Sequence, residues 1–111
     1  MTDKIVVLNT CSNMEEAERL ARLLVDGRLA ACVNIVPGVR SVYRWQGKVE
    51  SAEECLLLIK SSRPLFEQLR AELEKAHNYE VPEVLAVPIL GGAAPYLDWL
   101  QSNLQEGPEL A

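Results

Sequence analysis

Histidine is almost missing from this chain: His77 is the single one among 111 residues. One imidazole cannot make an H-E-x-x-H helix or a histidine cluster. The ready-made catalytic devices are missing as well. The sequence has no G-x-S-x-G nucleophile elbow. It has no G-x-x-x-x-G-K-S/T loop and no G-x-G-x-x-G fingerprint, and Gly91-Gly92 is too bare to stand for either. Cysteine is scarce. Cys11, Cys32 and Cys55 are far apart, odd in number and free of C-x-x-C spacing, which argues against a redox pair, a zinc knuckle and a secreted disulfide framework. Basic residues are outnumbered 11 to 16, for a formal net charge of -5, so no nucleic-acid partner is expected. No apolar run approaches the roughly 20 residues of a membrane span, so no membrane insertion is expected. The first residues do not read as a signal peptide, and the thiol usage fits a reducing compartment, so a cytoplasmic location is expected. An enzyme is the class these absences argue against most directly.

What is present is the pattern of one globular domain over residues 1–111, with 49% apolar residues and a tail from about 105 expected to be frayed. Residues 4–10, rich in β-branched side chains, read as a strand buried on both faces. Ser12 with Glu15 forms a capping-box pattern. Met14, Ala17, Leu20, Ala21 and Leu24 then recur at helical spacing, with Glu15–Arg19 and Glu18–Arg22 as pairs on the wet face and Gly27 as the stop. An apolar run over 29–36, the interruption Pro37-Gly38 and an alternating stretch to Trp45 make a second strand. Gln46-Gly47 is a tight-turn signal, and residues 48–60 return as its partner. Ser62 as cap and Pro64 in the first turn open a second helix, with Leu65, Leu69, Leu73 and Ala76 as its stripe and His77-Asn78-Tyr79 as its close. Residues 84–87 form a last strand, and Pro95 opens a third helix with Tyr96, Trp99, Leu100 and Leu104 on its inner face. The order β-α-β-β-α-β plus a helix is the ferredoxin-like pattern of the α+β (mixed α/β) class, with an antiparallel sheet and both main helices on one face.

The central hairpin is long. Arms over 29–45 and 47–60 reach roughly 45–55 Å at about 3.3 Å per residue, against a radius of gyration near 13 Å for a domain of this size. The ribbon must curl back or project, with Pro37-Gly38 as its bend or bulge. A projecting ribbon carrying Val39, Val42, Tyr43 and Trp45 leaves apolar surface and strand edges to be covered. The simplest cover is further copies of the same chain in a closed ring.

Few residues can carry chemistry. His77 is either a metal ligand assisted by Glu80 or Glu83, in a site for Cu(2+) or Zn(2+), or an idle histidine at a helix end. Cys11, between a strand end and a helix start, is either a thiol of lowered pKa suited to a soft metal ion or a structural residue. Cys32 and Cys55 read as small buried hydrophobes. Lys60 ends a strand before a helix start, so it either holds an anionic ligand or snorkels to solvent. Tyr79, Tyr96 and Trp99 read as core aromatics or as a wall over the last strand. No organic cofactor is indicated.

Ala30-Ala31-Cys32-Val33-Asn34-Ile35-Val36-Pro37-Gly38 and Ser41-Val42-Tyr43-Arg44-Trp45-Gln46-Gly47-Lys48 resemble the divalent-cation tolerance protein CutA family. So do Leu58-Ile59-Lys60-Ser61, Tyr79-Glu80-Val81-Pro82-Glu83 and Tyr96-Leu97-Asp98-Trp99-Leu100, in order along the chain. The resemblance implies a ferredoxin-like chain assembled as a homotrimer whose long hairpins pair between subunits. It also implies tolerance to divalent metal ions, copper especially, and an architecture like that of the PII signalling trimers. Family members discussed as copper binders carry a thiol late in the first strand and a His-His pair after the second helix. Here those positions read Asn9 and Ala76-His77, so one donor of three is kept.

The leading expectation is a non-enzymatic homotrimer binding divalent metal ions through His77, Glu80, Glu83 and Cys11. A second is a PII-like sensor holding an anionic ligand between subunits near Lys60, Tyr79, Glu83 and Trp99. A third is a scaffolding trimer with no small ligand.

Overall fold

The architecture follows from how each apolar run finds cover. The structure, a computed structural model, describes residues 2–108. Strand β1 (Lys4–Cys11) turns Ile5, Val7, Asn9 and Cys11 to the core and leaves Val6, Leu8 and Thr10 half-buried. Its apolar run is therefore covered fully on one face only, where the sequence predicts cover on both.

Helix α1 (Met14–Asp26) starts one residue later than its capping signal suggests. Asn13 is the cap, accepting the Glu16 amide at 2.8 Å, and Glu16 reaches back to Ser12. The box is Asn13/Glu16 rather than Ser12/Glu15, because Ser12 closes the turn out of β1. Arg19 consequently lies 3.9 Å from Glu16 rather than pairing with Glu15, while the Glu18–Arg22 pair forms at 3.8 Å. Ala17, Leu20, Ala21 and Leu24 enter the core.

Strands β2 (Cys32–Trp45) and β3 (Lys48–Ser62) make the long hairpin. The register passes from Val36↔Leu56 to Val39↔Glu54, so β2 holds one extra residue at Pro37-Gly38. That is a β-bulge, and Gly38 at φ +73° supplies the left-handed conformation it needs. At the tip Gln46 and Gly47 have φ of 50° and 82°, the two positive values of a type I′ turn.

Ser62 ends β3 and makes no side-chain cap bond. A 3₁₀ turn, Arg63–Leu65, leads into α2 (Phe66–Ala76), whose Leu69 and Leu73 are buried. Then follow β4 (Leu85–Pro88) and α3 (Ala94–Ser102). In α3, Leu100 is buried, as is Leu104 beyond it, but Tyr96 and Trp99 are each 45% exposed, so the expected inner aromatic face points outward. Their rings stack on each other instead, 5.7 Å apart.

The four strands are antiparallel in the order β2-β3-β1-β4. The core unites Val7, Leu57 and Ile59 of the sheet with Leu20, Leu24, Leu69, Leu73 and Leu100 of the helices. This is the ferredoxin-like arrangement, with its helices on one side. The segment from 105 is docked rather than frayed: the Gln105 amide donates to Arg28 at 2.9 Å, and Gly107 packs on Pro64 and Leu65 so closely that a Cβ would stand 2.9 Å from Pro64 Cβ. The rest of that predicted frayed tail, residues 109–111, lies outside the described residues.

Candidate functional site

The hairpin outruns β1. Pairing with β1 stops at Cys11↔Cys55, so residues 48–54 of β3 are held by β2 alone. The segment after α2 folds back beneath this overhang, and a cleft of about 810 Å³ opens between them. Glu50, Glu54, Glu80 and Glu83 line it, together with Tyr43, Trp45 and Tyr79, and no lysine or arginine does. Its field favours cations.

Behind the cleft, α1 and the end of α2 are tied by a buried polar chain. One oxygen of the Glu16 carboxylate accepts Ser12 N–H and O–H at 3.2 and 3.0 Å, and the other accepts Asn78 N–H at 2.8 Å. Burial pushes the Glu16 carboxyl up, but the Asn78 and Ser12 donors outweigh it and hold the group below its ordinary value. His77 follows. Its Nδ1 accepts the Tyr79 amide at 3.0 Å, which leaves Nε2 to donate to the Thr10 carbonyl at 2.9 Å. Tyr79 then donates its hydroxyl to Glu54 at 2.5 Å. Burial, and then the bond to Glu54, push the Tyr79 phenol far above its usual range.

Several expected site residues take other roles in this setting. His77 is buried with both ring nitrogens engaged, Nδ1 by the Tyr79 amide and Nε2 by the Thr10 carbonyl. It fastens the end of α2 to β1 and has no lone pair to offer a metal. The Cys11 thiol is raised to about 11, first by burial and then by the Glu16 charge, so the lowering expected at a helix start is reversed. Glu80 and Glu83 line the cleft. Tyr79 and Glu83 share it, but Lys60 does not: it lies six residues along β3 from Glu54, roughly 20 Å at the strand rise. There it donates to Asn34. Trp99 is also apart, on α3 beside Tyr96, which neighbours Cys32. The four groups of the expected anion cleft thus stand at opposite ends of one chain. On the ribbon, Val42 is 68% exposed, Tyr43 and Trp45 are also exposed, and Val39 is half-buried.

Sequence reasoning missed Glu16, Glu50, Glu54 and Asn9. Glu16 had a signal, the third helical position after Asn13. Glu54 and Asn9 had none beyond a polar residue in an apolar strand. Asn9 is fully buried, donates to the Glu83 carbonyl at 2.8 Å, and leaves its Oδ1 without a partner.

The family described as CutA1 divalent ion tolerance protein matches residues 5–103. This chain belongs to the CutA1 family. A relative named divalent-cation tolerance protein CutA, from Thermus thermophilus, is 50% identical over 98 residues, 88% of this chain and 95% of its own. A chloroplastic protein CutA from Arabidopsis thaliana is also 50% identical, over 99 residues, 89% of this chain and 54% of the relative. The chain thus spans about half the length of that plant relative. The crystal structure of CutA1 from Oryza sativa superposes with a TM-score of 0.92 at 47% identity, over 94% of this chain and 95% of the other. Among the described residues no three His, Cys, Asp or Glu side chains converge as a metal set. With His77 engaged, the donors of one chain do not fit a resident divalent ion.

Proposed function

We propose that this chain is a non-enzymatic divalent-cation tolerance protein that works as a homotrimer and gathers cations such as Cu(2+) or Zn(2+) at the acidic cleft. The observation that carries the reading is the cleft lining, which among the described residues holds Glu50, Glu54, Glu80 and Glu83 and no lysine or arginine. Four carboxylates too spread for one ion attract cations by field and hold them weakly through retained water. Donors from a neighbouring copy would complete the shell. The uncovered side of the sheet supports assembly: Val6, Leu8, Leu56 and Leu58 are only half-covered, Val36, Leu85 and Val87 are exposed, and no helix of the described residues covers them. Apolar area of this extent marks an interface. Three copies is the number the resemblance implies.

A cytoplasmic setting belongs to the same reading. The three cysteines are free, as a reducing compartment keeps them. No helix of the described residues is long and apolar enough to cross a membrane. Equilibrium dialysis against Cu(2+) and Zn(2+) tests the proposal. Glu80→Gln with Glu83→Gln should weaken uptake at least tenfold; unchanged uptake would sink the assignment.

A second reading, a small-molecule sensor, is favoured by the cleft volume, which lies inside the 300–1,000 Å³ usual for ligand sites. Its ligand would be a cation resting on Tyr43, Trp45 and Tyr79, not the anion that Lys60 suggested. A diamine that raises the thermal midpoint, where its dicarboxylate analogue does not, is the expected result. No shift with the diamine counts against this reading.

A further inference from the structure

Cys11 and Cys55 stand directly opposite each other in the β1–β3 ladder. Both belong to the core-facing set, 0% and 5% exposed, and both are free thiols. The Cys11 sulfur makes one weak polar contact, 3.6 Å from the Asn13 carbonyl. Opposed residues of an antiparallel pair carry Cβ atoms about 4.5–5.5 Å apart. Two sulfurs bonded in line to one ion at about 2.3 Å each stand about 4.6 Å apart. That span is comparable with the Cβ separation of an opposed pair.

The donor set decides which ion suits the pair. Among the described residues no third His, Cys, Asp or Glu completes a metal group here. Zinc in a closed site asks for four donors. Two thiolates alone suit a soft cation content with linear coordination, and thiolate ligands select copper(I) over harder ions. We propose that Cys11 and Cys55 form a two-coordinate site for one soft, thiophilic monovalent cation of the copper(I) and silver(I) class.

Binding is an exchange without electron transfer. Two S–H bonds break, two sulfur–metal bonds form, and two protons pass to solvent. Burial, and then the Glu16 charge, hold the proton on the Cys11 thiol, so only a cation thiophilic enough to displace both protons loads the pair. The chain neighbours of the pair, Thr10 and Glu54, line the acidic cleft, so the site lies directly behind its wall. A cation drawn to the cleft has a short path inward, through local opening where the β1 pairing ends.

Silver(I) is the probe, added to the full chain in oxygen-free, chloride-free buffer and read by native mass spectrometry. One silver per chain with release of two protons is expected. Cys11→Ser and Cys55→Ser should each weaken retention at least a hundredfold, while Cys32→Ser keeps it. X-ray absorption of the silver-loaded wild type should find two sulfur neighbours and no oxygen or nitrogen, which decides the matter even if a serine variant fails to fold. Retention that survives Cys11→Ser or Cys55→Ser, retention lost in Cys32→Ser, or oxygen or nitrogen neighbours would overturn the site. The Glu80→Gln/Glu83→Gln variant should still take up silver, so failure at the cleft and failure at the dithiol are told apart.

Discussion

The two faces of one sheet are built from the same strands and nearly the same residue types, yet they meet different surroundings. On the core side Val7, Leu57 and Ile59 are wholly buried under α1 and α2. One residue along in each strand, Val6, Leu8, Leu56 and Leu58 face the other way and are only half-covered. The contrast sharpens on β4, where Leu85, the partner of Leu8, is 56% exposed. A continuous apolar strand is what a sheet covered on both faces uses. This chain supplies cover for one face and leaves the other open. The comparison separates the helix side, where the folding core lies, from the open side, where the proposed assembly would form.

The largest expected effect breaks that division on the open side. Leu58→Asp places a charge where Leu8 and Leu58 stand opposed, with little cost to the isolated chain because the position is half-covered. Inside an interface the same charge is unpaired and costs several kcal/mol. About 4 kcal/mol is a thousandfold in association. Sedimentation equilibrium should find the variant as single chains under conditions where the wild type shows the proposed trimer. A variant that keeps the wild-type mass would show that the open face is not the seam. Next in size is Leu57→Ala, one residue away and fully buried. A core leucine deletion of this kind costs about 2–5 kcal/mol. Urea unfolding at fixed chain concentration reads it. A loss below 1 kcal/mol would mean that the helix side is not the folding core.

Third is Glu16→Gln, which removes the charge from the chain linking α1 to the end of α2. Hydrogen bonds to a charged group contribute about 1.5–3 kcal/mol, and a comparable loss is expected near neutral pH. The folded carboxyl lies below its ordinary value, so its contribution is fully present above the unfolded pKa of about 4.3 and is lost as pH falls through the folded one. The glutamine variant should therefore lose stability less steeply between pH 5 and acid than the wild type. Parallel acid unfolding curves for the two would remove Glu16 from the account.

Much of the fold was legible because its signals are local. Gln46-Gly47 gave the hairpin turn and Pro37-Gly38 the bulge, since each depends on backbone conformation that few residues adopt. Helix spacing placed Leu20, Leu24, Leu69 and Leu73 inside. What stayed hidden depends on contacts distant in sequence. His77 at a helix end looks free until the Thr10 carbonyl, from the far end of the chain, meets one nitrogen while the turn folds the Tyr79 amide onto the other. Tyr79 and Lys60 both sit beside strand ends, but only the register puts them at opposite ends of the sheet. Tyr96 and Trp99 share a face with Leu100 by spacing alone, yet the short α3 buries only the edge carrying Leu100. The cleft was invisible for the same reason: its carboxylates come from β3 and from the segment after α2, and only the overhang of the hairpin brings them together.

The smallest expected effects test how far a local signal can be trusted. Asn13 and Ser62 are both of residue types that cap helices, although the sequence pattern had pointed to Ser12 rather than Asn13. Asn13 accepts the Glu16 amide at 2.8 Å, so it satisfies one of the orphan donors of α1. Ser62 makes no cap bond, because it is still the last residue of β3, paired with Lys4, and a 3₁₀ turn intervenes before α2. Asn13→Ala should cost about 1 kcal/mol. Ser62→Ala loses no such bond and should stay within about 0.5 kcal/mol of wild type. Thermal unfolding of the two variants side by side measures the gap. Equal losses would mean that Ser62 caps after all and that β3 ends earlier. A gap of the expected size would place the boundary between sheet and helix by energy, independently of hydrogen-bond geometry.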